Sequence, residues 1–561
     1  MLDQDQSAPG TEEAITESLN LLICGGGPAG LVLALDLASR GIESTVVEPR
    51  VDVDHSRPKA KTTNARTMTQ LRRLGLADRV RQAGLPVDYA QQVTFCTSLT
   101  GYTLRDFPGA FQLQRGRYDL QPECGQQVAQ PALEVVLREA AAENPLIDLR
   151  LGVTAQPVRL SPADSPETPS LVRLVTEDGS SSLVAAARLV GADGGSSTVR
   201  KALGYAFEGT SAPRANLNLL FTSEDLAQKL TLDPAVQYWV VSAEAAGMIG
   251  RADLENTWWV ILQGVDLTGA HQDPEAAVRA MAGADIDVNI IAQDDWTARM
   301  LLSEHYGRGS VHLIGDAAHM NPPWGGHGFN TCVGDAVNLA WKLAAEIQGW
   351  AGHDLLGSYE QERRPIAART IAEAAANGRA LAYDFLDPDL DQPGERGEAA
   401  RARAFEALAV KRSEFHSLGL VLGYDYEGTD LVDEGDGREP MRDPIDYVPS
   451  ARPGRVLPHA WVSEDLSLYD VLGQGFTLLV DSDAVGTDLR SWTEIHERVP
   501  SEVPLLVVPI DTPGVAETWE ASAVMVRPDQ HVAWRGDDPA AAVAALTRAV
   551  GHPNRKKVAA A

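Results

Sequence analysis

Three times in this chain an apolar run ends in a glycine turn that is paired with a carboxylate. Gly25-Gly26-Gly27-Pro28-Ala29-Gly30 fits GxGxxG, and Glu48 follows 18 residues after Gly30, at the end of the apolar run IESTVVE. In such a segment the first glycine permits a tight turn, the second admits a pyrophosphate to the backbone, and the third lets helix and strand pack closely. The free N–H groups in the first turn of the next helix, which opens at Pro28-Ala29, favour phosphate, and an acid placed like Glu48 accepts ribose hydroxyl protons. The second segment, ARLVGADGGSSTVR, sets Asp193 on a turn before a helix. The third, SVHLIGDAAHMNPPWGGHGFN, sets Asp316 after a strand, where it can accept a ribityl hydroxyl, and then opens a helix expected over roughly 331–348. Backbone N–H groups at that helix start can stabilise negative charge on a reduced flavin ring. Read singly, an Asp-Gly or Gly-Asp pair is a turn, and GxGxxG alone does not separate FAD from NAD. The three together, in this order, carry the reading.

The elements that must position these groups follow from periodicity. LLIC is a buried strand, LVLALDLAS a helix stopped by Gly41, and IESTVVE a second strand, giving a βαβ unit. Residues 1–19 are polar and expected to be a disordered tail. Residues 386–450 are rich in Asp, Glu, Gly and Pro, and are expected to be an acidic connector outside the core. From about 451 to 553, GFTLLVDSD, VPLLVVPID and ASAVMVRP read as strands and AAAVAALTRAV as a closing helix, a small separate α/β domain before a basic tail at 554–561. The chain of 561 residues carries 48 Lys and Arg against 78 Asp and Glu, a net charge of −30. So acidic a surface argues against nucleic acid or anionic lipid as partner. No apolar stretch is suited to span a membrane. The four cysteines are scattered and form no CxxC, which fits a reducing cytoplasm. No HxxxH or HExxH occurs, so no metal site is expected. One segment inverts the charge: residues 57–82 hold eight cations and one acid. Such a run is either a solvated helix face or an attractor for an anionic cofactor.

The set GGGPAG, GADGGSSTVR and GDAAHMNPPWGGHGFNTCVGDAVNLAWKL resembles the FAD-dependent aromatic hydroxylases of the para-hydroxybenzoate hydroxylase type. Within these it is most similar to the phenol hydroxylase and 2,4-dichlorophenol 6-monooxygenase branch, which includes enzymes that oxidise polyketide antibiotics. The resemblance runs from Leu21 nearly to the C-terminus. It implies a Rossmann-like FAD-binding domain (20–204 and 301–385) interleaved with a substrate-binding β-sheet domain (205–300), and a thioredoxin-like domain without redox cysteines at 451–553. It implies that Gly25, Gly27, Pro28, Ala29, Gly30 and Glu48 hold the adenosine diphosphate half of FAD. Gln130 and Asp316 then take the ribityl region, and Asp193 touches both FAD and NADPH or NADH. Pro323, Gly326, Gly328 and Asn330 lie against the flavin ring. Arg66 matches the family's RT-motif arginine, and Lys59 stands where many members have arginine. Two positions depart from the pattern: His327 replaces a common glutamine, and Lys61 stands where some phenol hydroxylases carry a catalytic aspartate.

The implied activity is that of a monooxygenase using NAD(P)H and O2 to hydroxylate a phenolic or polycyclic aromatic substrate through a flavin C4a-hydroperoxide. The catalytic base is open among Lys61, Arg214, Tyr238 and His327. Tyr238, Trp239, Trp258 and Trp259 crowd the expected substrate sheet and suit a flat apolar pocket, although sheet packing accounts for any one of them. A Baeyer–Villiger or epoxidising enzyme would share every motif. A flavin halogenase would need WxWxIP, whose spacing and proline Trp258–Leu262 lacks. A non-catalytic flavin-binding redox sensor is the reading from a different class. The resemblance also implies a homodimer.

Overall fold

The computed structural model describes residues 14–551 except 58–60, 87, 115, 266–272, 353, 427, 430 and 433–441. Lys59, the tails 1–13 and 554–561, and part of the acidic connector lie outside the described residues.

The apolar run at the start of the chain forms a strand that is longer than expected. Ile15–Cys24 pairs in parallel with Ser181–Gly191 on one side and with Ser44–Glu48 on the other. Residues 15–19 are therefore not a disordered tail: Ile15 is opposite Leu183 and Leu19 opposite Ala186. The long parallel partner supplies backbone groups that a polar sequence can use as well as an apolar one. Val311–Leu313 adds in parallel beyond Ser181–Gly191. In register, Cys24 stands opposite Gly191, and Gly191 opposite Leu313. The three glycine-acid turns consequently leave the same carboxyl edge of adjacent strands. Parallel strands covered on both faces must be apolar throughout, and Leu21, Leu22, Ile23, Val46 and Val190 are indeed buried. Helix Pro28–Ser39 packs against helix Gly328–Ile347 over this sheet.

A seven-stranded sheet stands beside the first. Its order is Asn289–Trp296, Ala215–Thr222, Thr257–Val265, Gly247–Arg251, Gln237–Val240, Gln92–Cys96, Thr103–Pro108. The last two strands come from the first flavin segment, so the substrate domain is not confined to 205–300. Gln237–Val240 takes Gln92–Cys96 as a parallel neighbour, a pairing without a local turn to announce it. The connector is also more than a linker. Leu390, Ala400, Ala404, Leu408 and Phe415 are buried on the cavity side of this sheet, against Phe95, Phe107 and Trp239. Small residues at helical spacing in Gly394–Ala407 made that face look polar, because Ala and Gly carry little apolar signal.

The C-terminal module is a four-stranded sheet, ordered Leu505–Ile510, Phe476–Asp481, Ala523–Val526, Val532–Gly536, with only the first pair parallel. Trp341 of the long helix packs edge-on against its Phe476. A buried ionic joint reinforces the contact. Arg527 pairs with Glu362 at 2.7 Å and with Asp529 at 2.7 Å, and Lys342 reaches Glu362 at 2.7 Å. Burial works against the Glu362 charge, but Arg527 and Lys342 outweigh it and hold the acid down to about 2. Its contribution is therefore fully present above the ordinary carboxylate value of 4.5 and is lost as pH falls toward 2. Glu362→Gln leaves Arg527 under-compensated and should cost about 3–5 kcal/mol. The expected readout at neutral pH is a lower thermal midpoint and faster proteolysis at the C-terminal module; an unchanged midpoint would refute the joint.

Candidate functional site

The three turns converge on one cavity of about 980 Å³ that runs from Gly25, Gly27 and Glu48, past Asp193 and Asp316, to an aromatic half under the seven-stranded sheet. Its glycine end is built by close approach. Gly25 has φ +114°, and a Cβ there would meet the Ala192 oxygen at 2.2 Å. A Cβ on Gly30 would meet the Gly25 oxygen at 2.0 Å, so Gly30 serves helix–strand packing and does not line the cavity. Beyond Gly27 there is open space, and helix Pro28–Ser39 starts there with no side-chain cap. Free N–H groups at a helix start facing open space suit a pyrophosphate. Glu48 is buried and fixed: one oxygen accepts from the Gly26 N–H at 2.8 Å, the other from Arg50 Nε at 2.6 Å.

At the second turn, Asp193 divides its two oxygens. Oδ2 accepts from the Thr198 and Val199 N–H groups and so caps helix Thr198–Leu203, while Oδ1 is buried without a partner. An orphaned buried carboxylate oxygen on a cavity wall asks for a donor from a ligand. At the third turn Asp316 lines the cavity, with Cys332 beside it. Gly315 and the loop after it are held by Asp335, which the sequence reading passed over. Asp335 accepts from the Gly315 N–H at 3.2 Å, His319 Nε2 at 2.8 Å and Arg363 Nε at 2.9 Å. Burial disfavours charge on His319, but the Asp335 carboxylate overcomes it and raises the imidazole pKa. A signal for this was present: Asp335, Asn338 and Lys342 recur at helical spacing inside an otherwise apolar helix, and all three are fully buried.

The loop before that helix is pinned by Asn330. Its amide donates to the Thr62 and Gly326 carbonyls at 3.0 and 2.7 Å and accepts from the Asn64 N–H at 3.0 Å. Asn330 thus shapes the loop rather than facing the large cavity, whereas Pro323, Gly326 and Gly328 line it, as do Pro28, Ala29 and Gln130. Gly325 and Gly326 adopt φ of +84° and +68°, a left-handed pair that turns the chain into the helix.

Of the four candidate bases, Lys61 alone reaches this cavity. Its Nζ lies 4.2 Å from the Trp259 ring centroid, and burial lowers its pKa to about 7. Tyr238, expected among the candidate bases, lies outside the cavity. Side chains alternate along Gln237–Val240, so Gln237 faces the cavity while Tyr238 points to the opposite face, its hydroxyl donating to the Asp233 carbonyl at 2.9 Å. Arg214 is exposed and stands 5.1 Å from the Tyr383 ring, away from the cavity wall. His327 turns its ring toward a second, smaller cavity, and burial drops its pKa to about 4. Arg66 is also turned away: it donates to the Gln530 amide oxygen and the Asp529 carbonyl. The basic segment is largely accounted for by tertiary pairs. Arg72 meets Asp470 and Glu123, Arg73 meets Asp36, Arg79 meets Glu139 and Glu143, and Arg81 meets Glu123.

In the aromatic half, Phe111, Trp259, Trp296 and Trp324 line the cavity together with Lys61, with Asn218, Gln237, Asp294 and Glu414 as polar groups. Glu414 is buried beside Lys411, and burial outweighs that pairing to raise its pKa. Among the described residues no group of three or more metal-binding side chains occurs, and no helix is long and apolar enough to cross a membrane.

A parallel sheet with a glycine cradle, two further acids on the same carboxyl edge and an adjoining aromatic pocket define a flavin-dependent oxidoreductase. The chain belongs to the FAD-binding domain family over residues 18–374, and residues 450–553 match the C-terminal domain of aromatic-ring hydroxylases. It is 29% identical to the 2,4-dichlorophenol 6-monooxygenase of Cupriavidus pinatubonensis, over 97% of this chain and 98% of that protein. It is 29% identical to the aklavinone 12-hydroxylase RdmE of Streptomyces purpurascens, over 93% and 96%. Among solved structures, the rebeccamycin biosynthetic enzyme RebC with reduced flavin superimposes with a TM-score of 0.85 at 32% identity, covering 96% of this chain and 100% of that one. The protein is an FAD-dependent monooxygenase.

The orphaned Asp193 oxygen, the uncapped helix start at Gly27 and the open space beyond it fit FAD. Gly30→Val should abolish FAD retention, because its side chain would drive into the Gly25 carbonyl of the cradle itself. The flavin absorbance per mole of purified protein should fall at least about tenfold, a change of roughly 1.4 kcal/mol or more in binding.

Proposed function

We propose that the enzyme, drawing its reducing equivalents for the flavin from NADPH or NADH, hydroxylates an electron-rich phenolic ring, with Lys61 as the group that takes the phenol proton. The observation that carries this reading is the placement of Lys61 in the aromatic half of the same cavity that begins at the glycine cradle. Bound FAD supplies dioxygen activation, and the protein contributes orientation and electrostatics. Trp259, Trp296, Trp324 and Phe111 offer flat apolar walls for a ring and exclude water from it. Lys61 Nζ, with a pKa near 7, is a neutral amine in a large fraction of molecules at working pH and accepts the phenolic proton. The phenolate so formed is the better nucleophile at its ortho and para carbons, and the ammonium that results stays beside it as counter-charge. Trp259 stacks against the amine and limits where the phenol oxygen can sit.

For the FAD half, the proposed contacts are Gly25, Gly27, Pro28, Ala29 and Glu48 toward the adenosine diphosphate, Gln130 and Asp316 toward the ribityl chain, and Pro323, Gly326 and Gly328 toward the ring. Asp193 offers its spare oxygen to FAD or to the nicotinamide nucleotide. The four-stranded order of the C-terminal module supports a thioredoxin-like fold, and it contains no cysteine. Four unpaired cysteines, three of them buried, support residence in the cytoplasm. A homodimer is proposed from the family resemblance.

Two measurements test the reading. Under ¹⁸O₂, a screen of phenols and polycyclic phenols with NAD(P)H should yield a product carrying one labelled oxygen as a ring hydroxyl by mass and NMR. A lactone or epoxide would replace hydroxylation by another oxygenation, and peroxide release with every phenol would refute it. With a true substrate, kcat/KM should rise with pH through about 7, as Lys61 becomes neutral. Lys61→Met should lower kcat/KM by roughly 100-fold or more and remove that rising limb. A limb that survives the substitution would eliminate Lys61 as the base.

A further inference from the structure

Between the flavin-binding body and the C-terminal module lies a second cavity of about 60 Å³, walled by Arg66, Gln70, His327, Arg363, Tyr424 and His531 among others. One water needs roughly 10–15 Å³ on this measure, so the space suits several waters or one hydrated small ion. The charges around it do not balance. Arg363 is matched by Asp335, and Arg527 and Lys342 share Glu362 and Asp529. Arg66 is the cation left over. It is only 8% exposed, and among the described residues none of its hydrogen-bond partners is a carboxylate: they are the Gln530 amide oxygen, the Asp529 carbonyl and the Tyr424 hydroxyl. A guanidinium stays charged in any protein, and an uncompensated buried charge is costly. Asp529 also lines the cavity, but its carboxylate is engaged by Arg527 at 2.7 and 3.1 Å.

Two further atoms point into the same need. His327 and His531 are buried, and each leaves Nε2 without a partner. His531 Nδ1 lies 3.2 Å from the Asp529 carbonyl, so Nδ1 carries the proton and Nε2 is left as an acceptor. It calls for a water that donates one proton to the imidazole and has another to give.

We propose that this cavity binds a small monovalent inorganic anion of the halide class, held by Arg66 and by waters bridging to His327 and His531. The anion supplies the negative charge that the protein itself lacks at the joint. It thereby fastens the 529–531 turn to helix Ala65–Arg73, whose Asn64 cap in turn meets Asn330 of the flavin loop.

Bromide is the probe. Crystals of the FAD-loaded enzyme soaked in sodium bromide should show an anomalous peak against Arg66 inside this cavity. In solution, replacing sodium gluconate by sodium bromide at constant ionic strength should raise the thermal midpoint saturably, by about 2 °C or more. Gln70→Glu places a carboxylate beside Arg66 at nearly constant shape and should make the midpoint insensitive to bromide; Arg66→Met should do the same. A cavity holding waters only, or a bromide peak without any bromide-dependent midpoint in the wild-type enzyme, overturns the proposal. So does a dependence that persists unchanged in Gln70→Glu.

Discussion

The carboxylate of Asp335 sits where three parts of the structure must agree. It is fully buried on helix Gly328–Ile347, and a buried charge has to be surrounded by donors or be neutralised. Arg363 and His319 outweigh the burial that disfavours the anion and keep its pKa below the ordinary value. Meeting that demand fixes the Gly315 turn, the His319 ring and helix Ser358–Asn377 relative to the long helix. Three and seven residues further along the same face, Asn338 and Lys342 repeat the demand and draw in Glu362, and through it Arg527 of the C-terminal module. A helix with this polar stripe has few ways to be buried, which gives the assembly a specific arrangement rather than merely a compact one.

The cavity inherits its shape from that arrangement. Its glycine end is fixed by strand register and by backbone contacts too close for a Cβ. Its aromatic end is assembled from two chain segments inserted within the flavin fold and is closed by helices from the connector. The loop bearing Pro323 and the left-handed Gly325–Gly326 pair lies between the two ends, pinned by Asn330 to strand Thr62–Thr63. Lys61 precedes that same strand. The candidate proton acceptor is thus tied through one short strand to the loop lying between the cofactor end and the substrate end.

Much of the cofactor end was legible as residue types and spacing, because glycine and terminal acids act through local backbone geometry. The turn at Gly25 needs φ +114°, and a glycine at that position announces the turn regardless of context. The substrate end was poorly legible for the complementary reason. Tyr238 and Trp239 are adjacent and equally aromatic, and only strand pairing decides that Trp239 belongs to the core against Phe95 and Phe415 while Tyr238 faces the other way. The same holds for charge. The cations of residues 57–82 read as one basic patch, yet Arg72, Arg73, Arg79 and Arg81 end in ion pairs with distant acids, and Arg66 crosses to the C-terminal module.

By itself the sequence determined the βαβ unit, the three glycine-acid turns, the flavin class and the presence of a separate C-terminal module. The flavin class follows from the resemblance those motifs carry, and the others depend on periodicity or on the backbone freedom of residues close together in the chain. The tertiary structure alone decided that 15–19 extend the first strand, that 92–108 join the substrate sheet, that the connector covers it, and which of four candidate bases shares a cavity with the cradle. Those outcomes depend on pairing and burial between segments hundreds of residues apart. There the free energy of satisfying a strand edge or a buried charge outweighs what local composition prefers.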